Sequence, residues 1–373
     1  MTAFSSKKKG ALPAQRILQM MKAGFIEGAQ KGNVKPSSLD LSLSDEIYEV
    51  EGIFQPRQGE TVRNVLSNIS KTRFSMNDHL EIGQMYLARL NEKMKLPESV
   101  YAFCNPKSTT GRNDVHVRIL ADGVSRYDSL PPGWKGEIWI SIVPKSFRIK
   151  LEKNLAFNQV RFFNQDTRLD ELDLEIAMSQ HHLIWDAQEG KPFGFKDLVS
   201  NDRDGSILLS IDLGGDIVGY EAAANAPILD LSKNHAHDPK LFFKPVKKHG
   251  GYLYLKKNSF YILSSTEAVR VPPDLACEMA SMDERSGDFR SHYAGFIDPG
   301  WGWGKKGEGK GRPLTLEVRP FEDLIVRHNQ PIAKIRFERL SELPDTSYDS
   351  IGSNYTVQTG PKLSRHFKEW KGK

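Results

Sequence analysis

The sequence has little cysteine: two in 373 residues, Cys104 and Cys277, far apart in the chain. No disulfide framework follows from such a pair, and a reducing cytoplasm is the expected location. It lacks an apolar run near the ~18 residues that a membrane span needs. Lys7-Lys8-Lys9 is not followed by the apolar stretch of a secretory signal, so a soluble protein with no membrane partner is expected. The Cys-x-x-Cys and His-x-Glu patterns of zinc sites are missing, and His181-His182 and His235-x-His237 alone read as solvated loops; no zinc is expected. Gly302-x-Gly304 has no strand-to-helix context, which excludes a Walker or Rossmann phosphate loop. A net charge of +5 is too mild for a partner of nucleic acid polymer, yet it suits a small polyanion.

What is present is ordinary globular sequence, 39% hydrophobic and 27% charged with mean hydropathy −0.48. Its length points to two domains. Residues 1 to about 12 are polar and basic and are expected to be disordered. Residues 17–26 carry a helical apolar pattern. Leu39, Leu41 and Leu43 then alternate with polar residues as in a half-buried strand. Short alternating segments at residues 85–90, 115–119 and 138–142 continue that rhythm, punctuated by Gly, Pro and Asp. The fold class is mainly β, a barrel or sandwich with a few short helices.

An internal repeat organises the chain. The first half reads Ser38-Leu39-Asp40-Leu41, Leu96-Pro97, Lys107-Ser108 with Arg112, Pro132-Gly133-Trp134, the strand at 138–142, then Asn158-Gln159 with Arg161-Phe162. The second half repeats the order as Ser206-Ile207-Leu208-Leu209, Val271-Pro272, Arg285-Ser286 with Arg290, Pro299-Gly300-Trp301, the strand at 314–318, then Asn329-Gln330 with Arg336-Phe337. Two copies of one β-fold are expected: a domain at 1–165, a helical and linker segment at 166–200, and a domain at 201–373. Counting seven residues on from Trp134 reaches Ser141, where the second copy, once residues 302–310 are allowed for as an insert, has Glu317. Pro131 likewise stands where the second copy has Asp298.

Arg285 and Arg290, with Ser286 between them, suit an anionic ligand, because guanidinium forks and a hydroxyl donate charge-assisted hydrogen bonds to phosphate oxygens. Bland readings stand beside this one: a surface ion pair with Asp283, Glu284 or Asp288, a simple turn at Ser286-Gly287, and a core role for Trp301 as for Trp134. Lys305, Lys306 and Lys310 among glycines read as a mobile solvated loop sooner than as phosphate contacts. Glu317, a lone carboxylate in an apolar strand, is either a solvent-facing residue or a functional one.

At these residues the chain resembles the deoxycytidine triphosphate deaminase branch of the trimeric dUTPase superfamily. Arg285-Ser286-Gly287 with Arg290 resembles the phosphate-binding element of that family, and residues 294–301 resemble its nucleoside hairpin. Leu316-Glu317-Val318 is similar to its strand carrying the catalytic glutamate. Tyr348, Asn354-Tyr355, Gln358 and Gly360 resemble its tail, which closes over the triphosphate, although the family usually has Lys at the place of Asn354. The loop from Arg290 to Asp298 is about five residues shorter than the family pattern, and the insert at 302–311 is unusual.

The resemblance implies two dUTPase-like β-barrel (β-clip) domains in tandem and metal-independent hydrolysis of dCTP to dUTP and ammonia, with Mg2+ carried by the triphosphate. A homo-oligomer with trimeric or pseudo-trimeric packing is the implied assembly. Without a metal, a partly desolvated carboxylate can take a proton from water and return it. The implied base is Glu317, with Ser286 and the Ala294 carbonyl holding water and Arg290 orienting the glutamate. Asp298 and Trp301 would bound the deoxyribose, and Arg285, Gly287, Tyr348, Asn354 and Gln358 would contact the nucleotide. Two pairings fit the sequence: Glu317 with its own copy's arginines, or Glu317 with Lys107, Ser108 and Arg112 of the first copy. A bifunctional enzyme that also cleaves dUTP, a plain dUTP diphosphatase using Asp298, and a non-enzymatic nucleotide-binding regulator are the alternatives.

Overall fold

Strands form where the apolar alternation is strongest, and they form twice. The first half contains β1 (Ser38–Val50), β2 (Met85–Lys95), β3 (Tyr101–Pro106), β4 (Val115–Ala121), β5 (Ser129–Leu130), β6 (Lys135–Pro144) and β7 (Ala156–Phe163). The second contains β8 (Ser206–Ser210), β9 (Tyr261–Val269), β10 (Leu275–Ala280), β11 (Phe289–Ser291), β12 (Phe296–Ile297), β13 (Arg312–Pro320) and β14 (Pro331–Arg339). Among the described residues five short helices accompany them: α1 (Ala14–Lys22), α2 (Val62–Ser67), α3 (Ser108–Gly111), α4 (Glu171–His181) and α5 (Tyr348–Ile351). The computed structural model describes residues 8–198, 203–291, 295–351 and 358–371. Among them no helix is long and apolar enough to cross a membrane.

The first half pairs its strands in the order β4-β6-β2-β1-β7-β3-β5. The second pairs β11-β13-β9 in one sheet and β8-β14-β10-β12 in another, linked by a bridge between Ile211 and Ser265. Adding seven to each first-half label reproduces the second order, so the sequence repeat is a repeat of topology. These pairs are antiparallel, and each half wraps its sheet around its own apolar cluster in a barrel-like form.

Register fixes the correspondence residue by residue. The hydroxyls of Tyr86 in β2 and Tyr261 in β9 each accept the backbone N–H five residues earlier, both at 3.0 Å. Leu87, next after Tyr86, lies opposite Ser141, and Ile262, next after Tyr261, lies opposite Glu317. Glu317 therefore occupies in β13 the position that Ser141 occupies in β6.

Several expectations change. Ala11 and Leu12 are buried, not disordered, because Ala11 bridges to both Phe163 and Leu340. β1 is buried on both faces over residues 38–44, not half-buried, and the polar side chains of Asp40, Ser42 and Ser44 have partners there. Ser42 donates to Glu92 through its N–H (2.9 Å) and hydroxyl (2.8 Å), and Asp40 takes Lys107. The segment 166–200, expected to be helical and linker, contains α4 and is packed: Leu174, Met178, Leu183 and Ile184 enter the second core, and Ile184–Asp186 adds to β9.

Nor do the residues after 201 keep to one core. Leu229–Asp230 pairs in parallel with Ile149–Lys150, Phe242 and Phe243 pack edge-on against Phe147 at 5.4 and 5.3 Å, and Leu363 and Phe367 join the first core. Each such side chain contributes roughly 2 kcal/mol of burial to holding the halves together. The glycine-rich insert folds back on itself, with Gly311 N–H on the Gly302 carbonyl at 3.0 Å and Arg270 over the Trp303 ring at 3.9 Å.

Candidate active site

Between the halves lies a cavity of about 700 Å³. Its second-half wall comes from β13, from the turn after β12 and from α5: Thr315 and Glu317, Asp298 and Trp301, and Tyr348. Its first-half wall brings Lys35, Asp40, Lys107, Ser108, Arg112 and Gln159, and the C-terminal segment adds Arg365.

The β13 alternation explains the first wall. Leu314, Leu316 and Val318 point into the second core, so Thr315 and Glu317 face the first half. Glu317 is 2% exposed, which disposes of the solvent-facing reading, and its Oε1 lies 3.8 Å from the Arg112 Nε. Arg112 follows α3, and its other nitrogens donate to the Lys362 carbonyl at 3.0 Å and to Gln358 Oε1 at 3.1 Å. Gln358 donates in turn to the Pro313 carbonyl at 2.8 Å, tying the C-terminal segment to both walls.

The turn Asp298-Pro299-Gly300-Trp301 is closed by the Trp301 N–H on the Asp298 carbonyl at 3.2 Å. Gly300 has φ +89°, and a Cβ there would lie 2.6 Å from that of Ser347, so a glycine is required on both counts. Burial pushes the Asp298 carboxyl above the usual carboxylate range, opposed by the charge of Arg161 and the hydroxyl of Ser37. Trp301 packs against Tyr348, ring centroids 5.0 Å apart, and its buried indole N–H has no partner among the described residues. Across the cavity Lys107 binds Asp40, with Lys35 3.8 Å from the same carboxylate. Burial pushes the Lys107 ammonium down, and Asp40 opposes that shift.

The structure thus brings together Glu317, Asp298, Trp301, Tyr348, Lys107, Ser108 and Arg112 on the cavity, with Gln358 directly behind Arg112. It does not bring Arg285, Ser286, Gly287 and Arg290 to it. The Arg285 side chain is 78% exposed and held by Asp283 at 2.8 Å, the surface-pair reading, and Ser286 and Gly287 share that outer turn. Arg290 lies in edge strand β11 opposite Arg319, two residues beyond Glu317. It sits near His116, whose imidazole is held below its usual range by burial first and by Arg290 next. The reason is positional: the first half's 107–112 segment packs over β13, and the second half's 285–290 segment flanks an outer edge.

Ala294 and Asn354 fall outside the described residues. Lys305, Lys306 and Lys310 are exposed away from the cavity lining. His235 is exposed and His237 packs on Phe242 and Phe367; among the described residues no three His, Cys, Asp or Glu side chains converge as a metal site. Sequence reasoning missed Lys35, Asp40 and Arg365 as lining residues. Asp40 had a signal, a carboxylate between Leu39 and Leu41 in a strand; Lys35 and Arg365 had none.

The family described as 2'-deoxycytidine 5'-triphosphate deaminase (DCD), C-terminal domain, matches residues 184–367, and the corresponding N-terminal domain family matches residues 8–166. The crystal structure of 2'-deoxycytidine 5'-triphosphate deaminase from Agrobacterium tumefaciens is similar at 32% identity and a TM-score of 0.81, covering 91% of this chain and all (100%) of that one. No curated protein sequence matches the chain.

Proposed function

The chain belongs to the 2'-deoxycytidine 5'-triphosphate deaminase family and is a dCTP deaminase, and we propose that it works without a catalytic metal, with Glu317 as general base in a cavity shared by its two halves. The observation that carries this is the burial of Glu317 beside Arg112, a carboxylate from one copy against a guanidinium from the other. Mg2+ enters as part of the substrate, on the triphosphate. Lys35, Lys107 and Arg365 supply the remaining positive charge, and Ser108 the hydroxyl that the sequence had assigned to Ser286.

Hydrolysis then runs through protons moved by one carboxylate. Glu317 takes a proton from water as the water oxygen bonds to C4 of cytosine, and delivers it to the ring nitrogen N3. It next takes the proton of the new C4 hydroxyl and hands it to the amine. The C4–N bond breaks, ammonia leaves, and the C4 carbonyl of uracil forms. Arg112 holds Glu317 in place through this cycle, and Ser108 orients the water. Asp298 and Trp301 bound the deoxyribose, and Tyr348 covers Trp301.

The test is product analysis on protein stripped of transition metals and given Mg2+ and dCTP, with ammonia, dUTP, dUMP and diphosphate followed together. Ammonia and dUTP are expected from the wild type. Glu317→Gln is expected to lose about a thousandfold in rate while still binding dCTP. Turnover that vanishes on stripping and returns with zinc would overturn metal independence, and an active Glu317→Gln would remove Glu317 as base. Added dUMP and diphosphate would identify the bifunctional form.

A further inference from the structure

Arg161 is a buried charge of the first half that serves the second. It lies in β7 at 0% exposure. Its guanidinium donates to Glu338 Oε1 at 2.6 Å, to the Cys277 and Ile297 carbonyls at 3.1 and 3.4 Å, and to Asp298 Oδ1 at 3.3 Å. Its Nε reaches the Ser37 carbonyl at 3.3 Å, and it lies over the Phe296 ring at 4.2 Å. The Ser37 hydroxyl donates to the same Asp298 Oδ1 at 3.0 Å.

Both of those bonds to Asp298 fall on Oδ1. A carboxylate anchored at one oxygen by two donors is fixed in its plane, and its second oxygen is presented in one direction. Asp298 lines the cavity, so Oδ2 is the oxygen left for a ligand donor. A 5′-triphosphorylated 2′-deoxyribose has one free hydroxyl, at C3′. We propose that Arg161 and Ser37 are positioning residues that fix Asp298 so that Oδ2 accepts the 3′-hydroxyl of the substrate, which rests on Asp298 bounding the deoxyribose as set out above. The first half thereby sets the sugar preference of a carboxylate it does not carry.

Removing the guanidinium outright would leave Glu338 and Asp298 buried without it, so Ser37→Ala and Arg161→Lys are the variants of choice, with melting temperatures measured alongside. The readout is the ratio of kcat/KM for dCTP to that for 2′,3′-dideoxycytidine triphosphate, which lacks the 3′-hydroxyl; loss of fold alone lowers both and leaves the ratio unchanged. A wild-type ratio of about ten or more is expected, that of a hydrogen bond to a charged group. Asp298→Ala should bring it near one, and Ser37→Ala and Arg161→Lys should shrink it severalfold. A ratio that collapses in Asp298→Ala but holds in folded Ser37→Ala overturns the positioning role. A ratio that holds in Asp298→Ala removes Asp298 from the sugar, and the proposal with it.

Discussion

The two halves share a topology and differ at corresponding positions of one outer face. Thr315 and Glu317 in β13 correspond to Trp139 and Ser141 in β6, and Asp298 and Trp301 correspond to Pro131 and Trp134. In the second half that face opens on the cavity. In the first it is filled: Val62 and Leu66 of α2 pack with Trp139 and Leu120, and Arg63 lies over the Trp139 ring at 5.2 Å. The Trp134 indole N–H is satisfied by the Asp122 carbonyl at 2.9 Å, whereas that of Trp301 has no partner among the described residues. On the cavity the first half places Lys35, Lys107 and Arg112 opposite Glu317 and Asp298 of the second, with Asp40 and Arg365 on the same lining; in the reading proposed above, the first half's cations serve the second half's Glu317. In that reading a duplicated fold holds one site whose parts are divided between its copies.

The largest expected effect that would sharpen this comparison is the thousandfold rate loss of Glu317→Gln, about 4 kcal/mol at the transition state. Its counterpart, Ser141→Glu, should create no second site. A carboxylate at 141 would be buried next to the packed Trp139 face, opposite Arg118, whose guanidinium is already taken by Asp128 at 2.7 Å, so roughly 3 kcal/mol of stability should be lost in denaturant melts, with turnover per chain not raised. Raised turnover would mean that the first face is open.

A third prediction concerns the C-terminal segment, which binds the first half through His366. Its Nδ1 lies 3.0 Å from Asn113 Nδ2 and 3.1 Å from the Ser364 hydroxyl, and burial depresses the imidazole to about 4 from the ordinary 6.5. The folded state therefore favours the neutral ring. That contribution is complete above pH 6.5 and is lost as pH falls towards 4, to a limit of roughly 3 kcal/mol. Melting of wild type and His366→Gln between pH 7 and 4 should show the steeper loss in the wild type; parallel curves would exclude His366. The smallest effect separates the two tryptophans: Trp134→Phe should cost about 1 kcal/mol of stability through its hydrogen bond and leave kcat/KM unchanged, whereas Trp301→Phe should alter kcat/KM.

Much of the fold was legible because apolar alternation and turn residues are local: β1, β2, β4 and β6 sit on the segments that carry them. The Ser141 and Glu317 correspondence was legible too, since one Pro-Gly-Trp turn sets the count in each copy. What could not be read was which arginine motif faces Glu317. Lys107-Ser108 with Arg112 and Arg285-Ser286 with Arg290 are chemically alike, and only the packing of 107–112 over β13 distinguishes them. The crossing of Leu229, Phe242 and Phe367 into the first core is equally invisible, because an apolar residue states that it will be buried and not where. Arg161 had a signal in its sequence neighbourhood, a charge among the apolar residues of β7, but its partners lie more than a hundred residues away.

The central claim, a site assembled from the first half's cations and the second half's carboxylates, is tested most directly by kcat/KM for dCTP in Arg112→Ala beside Arg285→Ala. A loss of about a hundredfold or more in Arg112→Ala, with Arg285→Ala within about twofold of wild type as expected for an exposed ion pair, is the predicted result. A large loss in Arg285→Ala with Arg112→Ala active would contradict it and place the site on the second half's own motif.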